Sequence, residues 1–409
     1  MLISIQYLEG DAQAAQISPA QARACLRAAF ERLPLDRVLL GWNLPARLVE
    51  ACAEECARGK ADLYLWQPLL TGDGDFRPRR AWQTIGLTGE PAGGHAGKAE
   101  FTFVCPNRPT AREAALDHLG KVVASGFYRG VFLDRIRFPS PSALPSRDLA
   151  CFCADCRRTA AKAGLDLQCI QRQVQRLLDT PEGRRAAIRC LLSGPWMPAL
   201  EASIEPLQQL LRFRQDSVTA LVQDAEHLAG AHGLEVGLDC FSPMLARMVG
   251  QDLPALAVCC DWIKVMTYVR AYGPATIPFE LLGLADWLVS ANGDSERGAM
   301  AWLADATGWP LPARRDEVRR GGLSAEMLTT ELIRGRTAHP GARQAGALLA
   351  GVELVEIPGV AELKTEQIRA DLAAVCAGGA DGLVLSWDLW HMPLDRLELV
   401  SSVCGMQRR

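Results

Sequence analysis

The sequence predicts an α/β protein, a closed (β/α)₈ TIM barrel with long insertions after strand 4 and strand 6. Three observations lead there. Short runs rich in Val, Ile and Leu alternate with amphipathic helical stretches along the whole chain. Eight such runs can be counted, which is the number a closed parallel barrel needs. No glycine-rich phosphate turn follows the first run, although the rival open, doubly wound sheet usually carries one there. The Gly-rich GGHAG at 93–97 follows no strand and reads as a loop.

The expected strands are ISIQY (3–7), VLLGW (38–42), DLYLWQP (62–68), YRGVFLDRIRF (128–138), EVGLDCF (235–241), DWIKVMTY (261–268), ALLAGVELVEI (347–357) and DGLVLSWDL (381–389). Helical stretches are expected at 19–32, 44–58, 110–124, 206–231 and 365–377, with Thr110 and Thr365 as N-caps. Two connections are much longer than ordinary βα loops, 139–205 and 270–345. Both follow strand ends, the face on which a barrel builds its site, so residues 1–409 read as one barrel domain carrying two functional insertions.

Composition narrows the function. The chain has 409 residues, 49% hydrophobic and 22% charged, with a net charge of −3, as a soluble globular protein with a large core does. A basic stripe is lacking, which argues against a nucleic-acid partner, and ARRDEVRR at 313–320 reads as a solvated helix face. No apolar run reaches the roughly 18 residues of a membrane span. The start, MLISIQYLEGDAQ, has neither a basic region nor a long apolar core, so a cytoplasmic location is expected. The 14 cysteines should then be mostly reduced thiols. Cys190, Cys240, Cys259 and Cys376 sit among apolar neighbours as small hydrophobes, and Cys52 and Cys56 share a helix face. A homo-oligomer is compatible with this composition, which leaves oligomeric state open.

Strand alternation points to the chemistry. Aliphatic side chains face the helices, so the residues between them face the barrel axis. This rule turns Asp134, Asp239, Lys264, Glu353 and Asp388 inward, together with Tyr64, Trp66, Met266, Tyr268 and Ser386. Arg135 and Arg137 alternate with Asp134 and should point away from it. The expected place for Arg135 is under a helix, whereas a twisted strand end would bring Arg137 to the mouth. Four carboxylates and a lysine from five strands are costly to bury without a use. Paired carboxylates in an aromatic cavity suit glycosidic-bond cleavage, one acid protonating the leaving oxygen and the other attacking carbon or activating water. Trp42, Trp66, Tyr268, Trp387 and Trp390 lie at or near strand ends as platforms for sugar rings.

A resemblance carries the reading further. GVFLDRIRFPSP at 130–141 resembles the fourth strand of glycoside-hydrolase-like barrel families, with the pattern "-FD-IRFP". CDWIKVMTY, followed by AYGP, and GLVLSWDLW resemble strands of bacterial glycosyl-hydrolase-like proteins. The resemblance spans roughly 100 to 390 and implies hydrolysis of an oligosaccharide or small glycoside. Essential roles are expected for Asp134 and Glu353 first, then Asp239 and Asp388, with Trp42, Trp66, Arg137, Lys264, Tyr268, Trp387 and Trp390 binding substrate. The chain departs from the plan in which acids after strands four and seven are both Glu, since strand four offers Asp134 with no Asn-Glu pair after it. Asp at that position fits the α-glycosidase plan, where it is the nucleophile. Two other classes stay open: a barrel that binds carbohydrate without cleaving it, and a lyase or aldolase using Lys264 as a Schiff-base nucleophile.

The stretch CFCADC places Cys151, Cys153 and Cys156 within six residues. C-x-C-x₂-C spacing is a metal signal, and a tetrahedral thiolate site needs a fourth ligand, for which Cys105 in FVCPNRP is the best candidate. Free loop thiols and a redox or iron–sulfur role are the alternatives. The set Cys105, Cys151, Cys153 and Cys156 resembles the structural zinc site of family 42-type β-galactosidases, which implies a Zn²⁺ that staples the insertion and takes no part in the reaction. No organic cofactor is implied.

Overall fold

A computed structural model describes residues 1–10, 14–72, 78–92, 101–192, 194, 204–338 and 347–405. GGHAG at 93–97 and parts of both insertions lie outside the described residues. The eight strands are β1 (Leu2–Tyr7), β2 (Arg37–Leu40), β3 (Asp62–Pro68), β4 (Gly130–Asp134), β5 (Glu235–Phe241), β6 (Trp262–Met266), β7 (Ala347–Glu353) and β8 (Gly382–Ser386). Each pairs in parallel with the next and β1 closes on β8, so the sheet is a (β/α)₈ barrel in simple sequence order.

Alternation holds around the barrel. Val131, Leu133, Val236, Leu238, Ile263 and Val265 join the core shared with the surrounding helices. Leu39, Tyr64, Phe132, Trp262, Leu349 and Val384 fill the interior, with Trp42 and Trp66 in the same cluster. Phe132 and Trp262 stack with centroids 5.1 Å apart, and Tyr64 meets Trp262 edge-on at 5.8 Å. Such contacts contribute about 0.5–1.5 kcal/mol beyond area burial. Room for the indole comes from Gly237, where a Cβ would lie 2.1 Å from the Trp262 ring.

Several boundaries differ from the sequence expectation for local reasons. β4 ends at Asp134, not at 138, because Arg135 takes a left-handed φ of 53° that breaks the extended run. The helix expected to be capped by Thr110 spans Pro109–Val123, because proline's fixed φ suits the first helical position. Thr365 is likewise the first residue of its helix and not its cap. The Lys364 N–H before it donates to Gln367 Oε1 at 3.0 Å.

After β4 come the helices Ala154–Lys162, Leu167–Leu178 and Pro181–Leu191, followed by the long Glu205–Ala231. After β6 come Ile277–Asn292, Glu296–Thr307, Arg315–Gly321 and Glu326–Ala338. The two insertions are tied together. Arg184 donates to Asn292 Oδ1 at 2.7 Å and to the Ala291 carbonyl at 2.9 Å, and Arg185 pairs with Asp294 at 2.7 Å. The fully buried Glu280 accepts from Ser140 and Ser142, each at 2.5 Å. Among the described residues no helix is long and apolar enough to cross a membrane.

Candidate active site

The strands' C-terminal ends open on a cavity of about 770 Å³. Asp134 and Asp239 line it, as do Trp42, Trp66, Tyr268 and Trp387. These two acids are neighbours because β4 and β5 pair Leu133 with Leu238, which places the next residue of each strand side by side. Asp134 Oδ1 accepts its neighbour Arg135 N–H at 2.5 Å, and its Oδ2 accepts the Trp66 indole N–H at 3.0 Å. Trp66 is held in turn by an edge-on contact with Trp42, centroids 5.1 Å apart. On the opposite wall the Tyr268 and Trp387 rings lie 5.6 Å apart.

Asp239 is 3% exposed, with Oδ2 paired to Lys264 Nζ at 2.9 Å and Oδ1 lacking a hydrogen-bond partner among the described residues. Burial pushes its carboxyl up to about 7; Lys264 pulls it down and the Asp134 charge pushes it up further. Lys264 lies beneath the cavity, fully buried, and also donates to Gln6 Oε1 at 3.2 Å. Burial alone would lower its ammonium, but Asp239, with Tyr268, carries it above the ordinary lysine value. Its stem fits because Gly351 carries no Cβ, which would lie 2.7 Å from Lys264 Cε.

Glu353 and Asp388 face the axis but are not among the cavity-lining residues. Glu353 Oε2 accepts the Val269 and Arg270 N–H groups at 3.0 and 2.9 Å, and Oε1 accepts that of Ala271 at 2.8 Å. Burial pushes its carboxyl up to about 7 against these three donors. Asp388 accepts the backbone N–H groups of Leu8 and Trp390, each at 2.9 Å, and of Glu9 at 3.1 Å. Each carboxylate therefore anchors a loop. The loop held by Glu353 continues into the lining residues Tyr272–Ala275, and the one held by Asp388 brings Glu9 and Gly10 to the rim. Trp390 does not line the cavity either, because it sits in the short turn Leu389–His391.

Arg135 departs from its expected place, whereas Arg137 reaches the mouth as a twisted strand end allows. Arg135 is not packed under a helix. Its positive φ turns it into the cavity, where it lies over the rings of Trp42 (5.4 Å) and Phe101 (4.7 Å), reaches Thr71 Oγ1 at 3.1 Å and pairs with Glu9 at 3.5 Å. Arg137 also lines the cavity, between the rings of Phe103 (4.4 Å) and Phe241 (4.6 Å). Sequence reasoning also passed over Gln6 and Glu9. Alternation along ISIQY would have turned Gln6 inward, and Glu9 stands two residues beyond that strand's end.

Cys105, Cys151, Cys153 and Cys156 converge as the sequence suggests. All four are buried and their sulfurs lie within 4.8 Å of one another, with Cys105 3.3 Å from Cys156 and 3.6 Å from Cys153. A tetrahedral ion with 2.3 Å bonds to sulfur requires S–S separations of about 3.8 Å, so the cluster fits such an ion with small adjustment. Donors orient the sulfurs: Ile85 N–H reaches Cys151 at 3.3 Å, and Cys156 N–H and Asn107 Nδ2 reach Cys153 and Cys156 at 3.4 Å each. A fourfold protein-ligand set leaves no open coordination position. The cluster brings the loops after β3 and β4 together.

No family model and no curated protein matches the sequence. Solved structures do match. The glycoside hydrolase domain of PgaB (BpsB) from Bordetella bronchiseptica aligns over 98% of each chain with a TM-score of 0.55 and 13% identity. A β-galactosidase from Halorubrum lacusprofundi gives a TM-score of 0.58 at 13% identity, over 99% of this chain and 58% of that one. A β-galactosidase from Rahnella sp. R3 gives 0.55 at 14%, over 99% and 56%. The chain thus spans little more than half the length of these two β-galactosidases, and at such identities the likeness is one of fold.

Proposed function

We propose that the protein is a glycoside hydrolase acting on an oligosaccharide or small glycoside, with Asp134 and Asp239 as its reacting carboxylates. The observation that carries this reading is their placement side by side on β4 and β5 in a cavity walled by Trp42, Trp66, Tyr268 and Trp387. Adjacent strands lie about 4.8 Å apart, which favours the closer carboxylate spacing, roughly 5–5.5 Å, that goes with retention of configuration. Asp134, with both oxygens aimed by donors, attacks the anomeric carbon as the glycosidic C–O bond breaks. Asp239, raised towards neutrality by burial, gives its proton to the leaving oxygen. In the second step Asp239 takes a proton from water, the water oxygen bonds to the anomeric carbon, and Asp134 is released. Lys264 stabilises the Asp239 carboxylate between the two steps.

This reading narrows the earlier expectation, in which Asp134 was paired with Glu353. Glu353 and Asp388 take loop-anchoring roles here because they lie off the cavity lining, each held by three backbone amides. A Schiff-base role for Lys264 is disfavoured, since its Nζ is fully buried beneath the cavity, held by Asp239 and Gln6, and does not line the space a carbonyl substrate would occupy. We assign zinc to the four-cysteine cluster, on the softness of its donors and its tetrahedral fit; it holds the loops and takes no part in bond cleavage.

A panel of nitrophenyl glycosides of both anomers tests the proposal. Turnover of at least one, lost in Asp134→Asn and in Asp239→Asn, supports it. Sugar binding without turnover across the panel would favour the non-catalytic reading.

A further inference from the structure

We propose that the cavity takes an acidic glycoside and that Arg137 is the clamp for the sugar's carboxylate. This rests on the hydrolase reading for the site's position but predicts a preference that binding alone can show.

Arg137 is 2% exposed and lines the cavity beside Asp134 and Asp239. Phe103 and Phe241 sandwich its guanidinium, so the group is rigid and dry. Its hydrogen bonding is poor: Nη1 donates to the Phe138 carbonyl at 3.3 Å, and Nε has no partner among the described residues. No carboxylate among the described residues forms an ion pair with it, whereas the other buried cation of the site, Lys264, is paired with Asp239 at 2.9 Å. A buried, unpaired guanidinium is costly, and the cost is recovered when an anion arrives. Guanidinium offers a planar fork of donors that matches a carboxylate.

The other two cations of the site are already engaged. Arg135 is engaged with Thr71 and Glu9, and Lys264 with Asp239 and Gln6. Arg137 feels the charges of Glu280, Asp134 and Asp239, but among the described residues it closes an ion pair with none of them, which leaves its fork to meet a substrate carboxylate. A neutral sugar would leave it unmet, whereas a uronic acid would bring the missing carboxylate within reach of the reacting pair.

Matched pairs separate the two cases: glucuronate against methyl glucoside and galacturonate against methyl galactoside, by tryptophan fluorescence or calorimetry, and the corresponding nitrophenyl glycosides for turnover. The expected result is at least tenfold tighter binding of one uronate than of its neutral partner. Equal or weaker binding of both uronates, or no binding of any of the four, overturns the proposal. In Arg137→Met that preference falls to near one. If this variant does not fold, Arg137→Lys, which keeps the charge and loses the fork, reduces the preference severalfold. A preference unchanged in a folded variant overturns the assignment to Arg137. Uronate preference without turnover in the panel retains the clamp and removes the hydrolase reading, so the two fail separately.

Discussion

The β4–β5 side and the β7–β8 side of the barrel carry the same kind of residue in different work. Asp134 and Asp239 sit next to each other and line the cavity, and Oδ1 of Asp239 has no hydrogen-bond partner among the described residues. Glu353 and Asp388 are equally inward and about as buried, at 5% exposed each, but each accepts three backbone N–H groups. The difference teaches that facing the axis decides only where a carboxylate goes. Access to the cavity separates the pairs: Asp134 and Asp239 line it, whereas Glu353 and Asp388 are turned to backbone amides away from its lining.

Breaking each side should give different losses. The largest expected effect is on the reacting side: Asp134→Asn lowers turnover on the order of 10³-fold with little change in melting temperature, read from steady-state rates and thermal unfolding of the same sample. On the anchoring side, Glu353→Ala strands three amides and destabilises the protein by about 3 kcal/mol or more, measured by denaturant titration. Removing the ion from the four-cysteine cluster with a strong chelator, or replacing Cys105 by Ser, loosens the loops after β3 and β4 and lowers the melting temperature by several degrees. A metal content that stays below half an equivalent in purified protein would contradict the zinc assignment.

The smallest effect concerns pH. Burial raises the carboxyls of Asp239 and Glu353 to about 7, and raises Asp388 as well. Groups raised on folding contribute stability that is full below their unfolded values, about 4, and is lost as pH climbs through the folded ones. Melting temperature should therefore fall by a few degrees between pH 5.5 and pH 8. Glu353→Gln should flatten that slope, and a slope of opposite sign would exclude raised values for these acids. Turnover should decline over the same upper range as Asp239 loses its proton.

Much of this architecture was legible in the sequence. DLYLWQP and EVGLDCF are strands over the residues expected, and alternation alone placed Asp134, Asp239, Lys264 and Tyr268 on the axis. The trio in CFCADC pointed to Cys105 as its partner. Three things were hidden for physical reasons. The left-handed backbone at Arg135 reverses its side chain, and nothing in the letters DRIRF announces it. Backbone donors to Glu353 come from residues 269–271, more than eighty positions away. Glu9 reaches the rim because Asp388, at the other end of the chain, holds its amide.

The central claim is that Asp239, and not Glu353, completes the reacting pair with Asp134. The most direct measurement compares Asp239→Asn with Glu353→Gln for turnover of the best nitrophenyl glycoside and for melting temperature. The account predicts a stable Asp239→Asn with turnover reduced at least a hundredfold, and a less stable Glu353→Gln that still turns over when folded. A stable, inactive Glu353→Gln beside an active Asp239→Asn would contradict it.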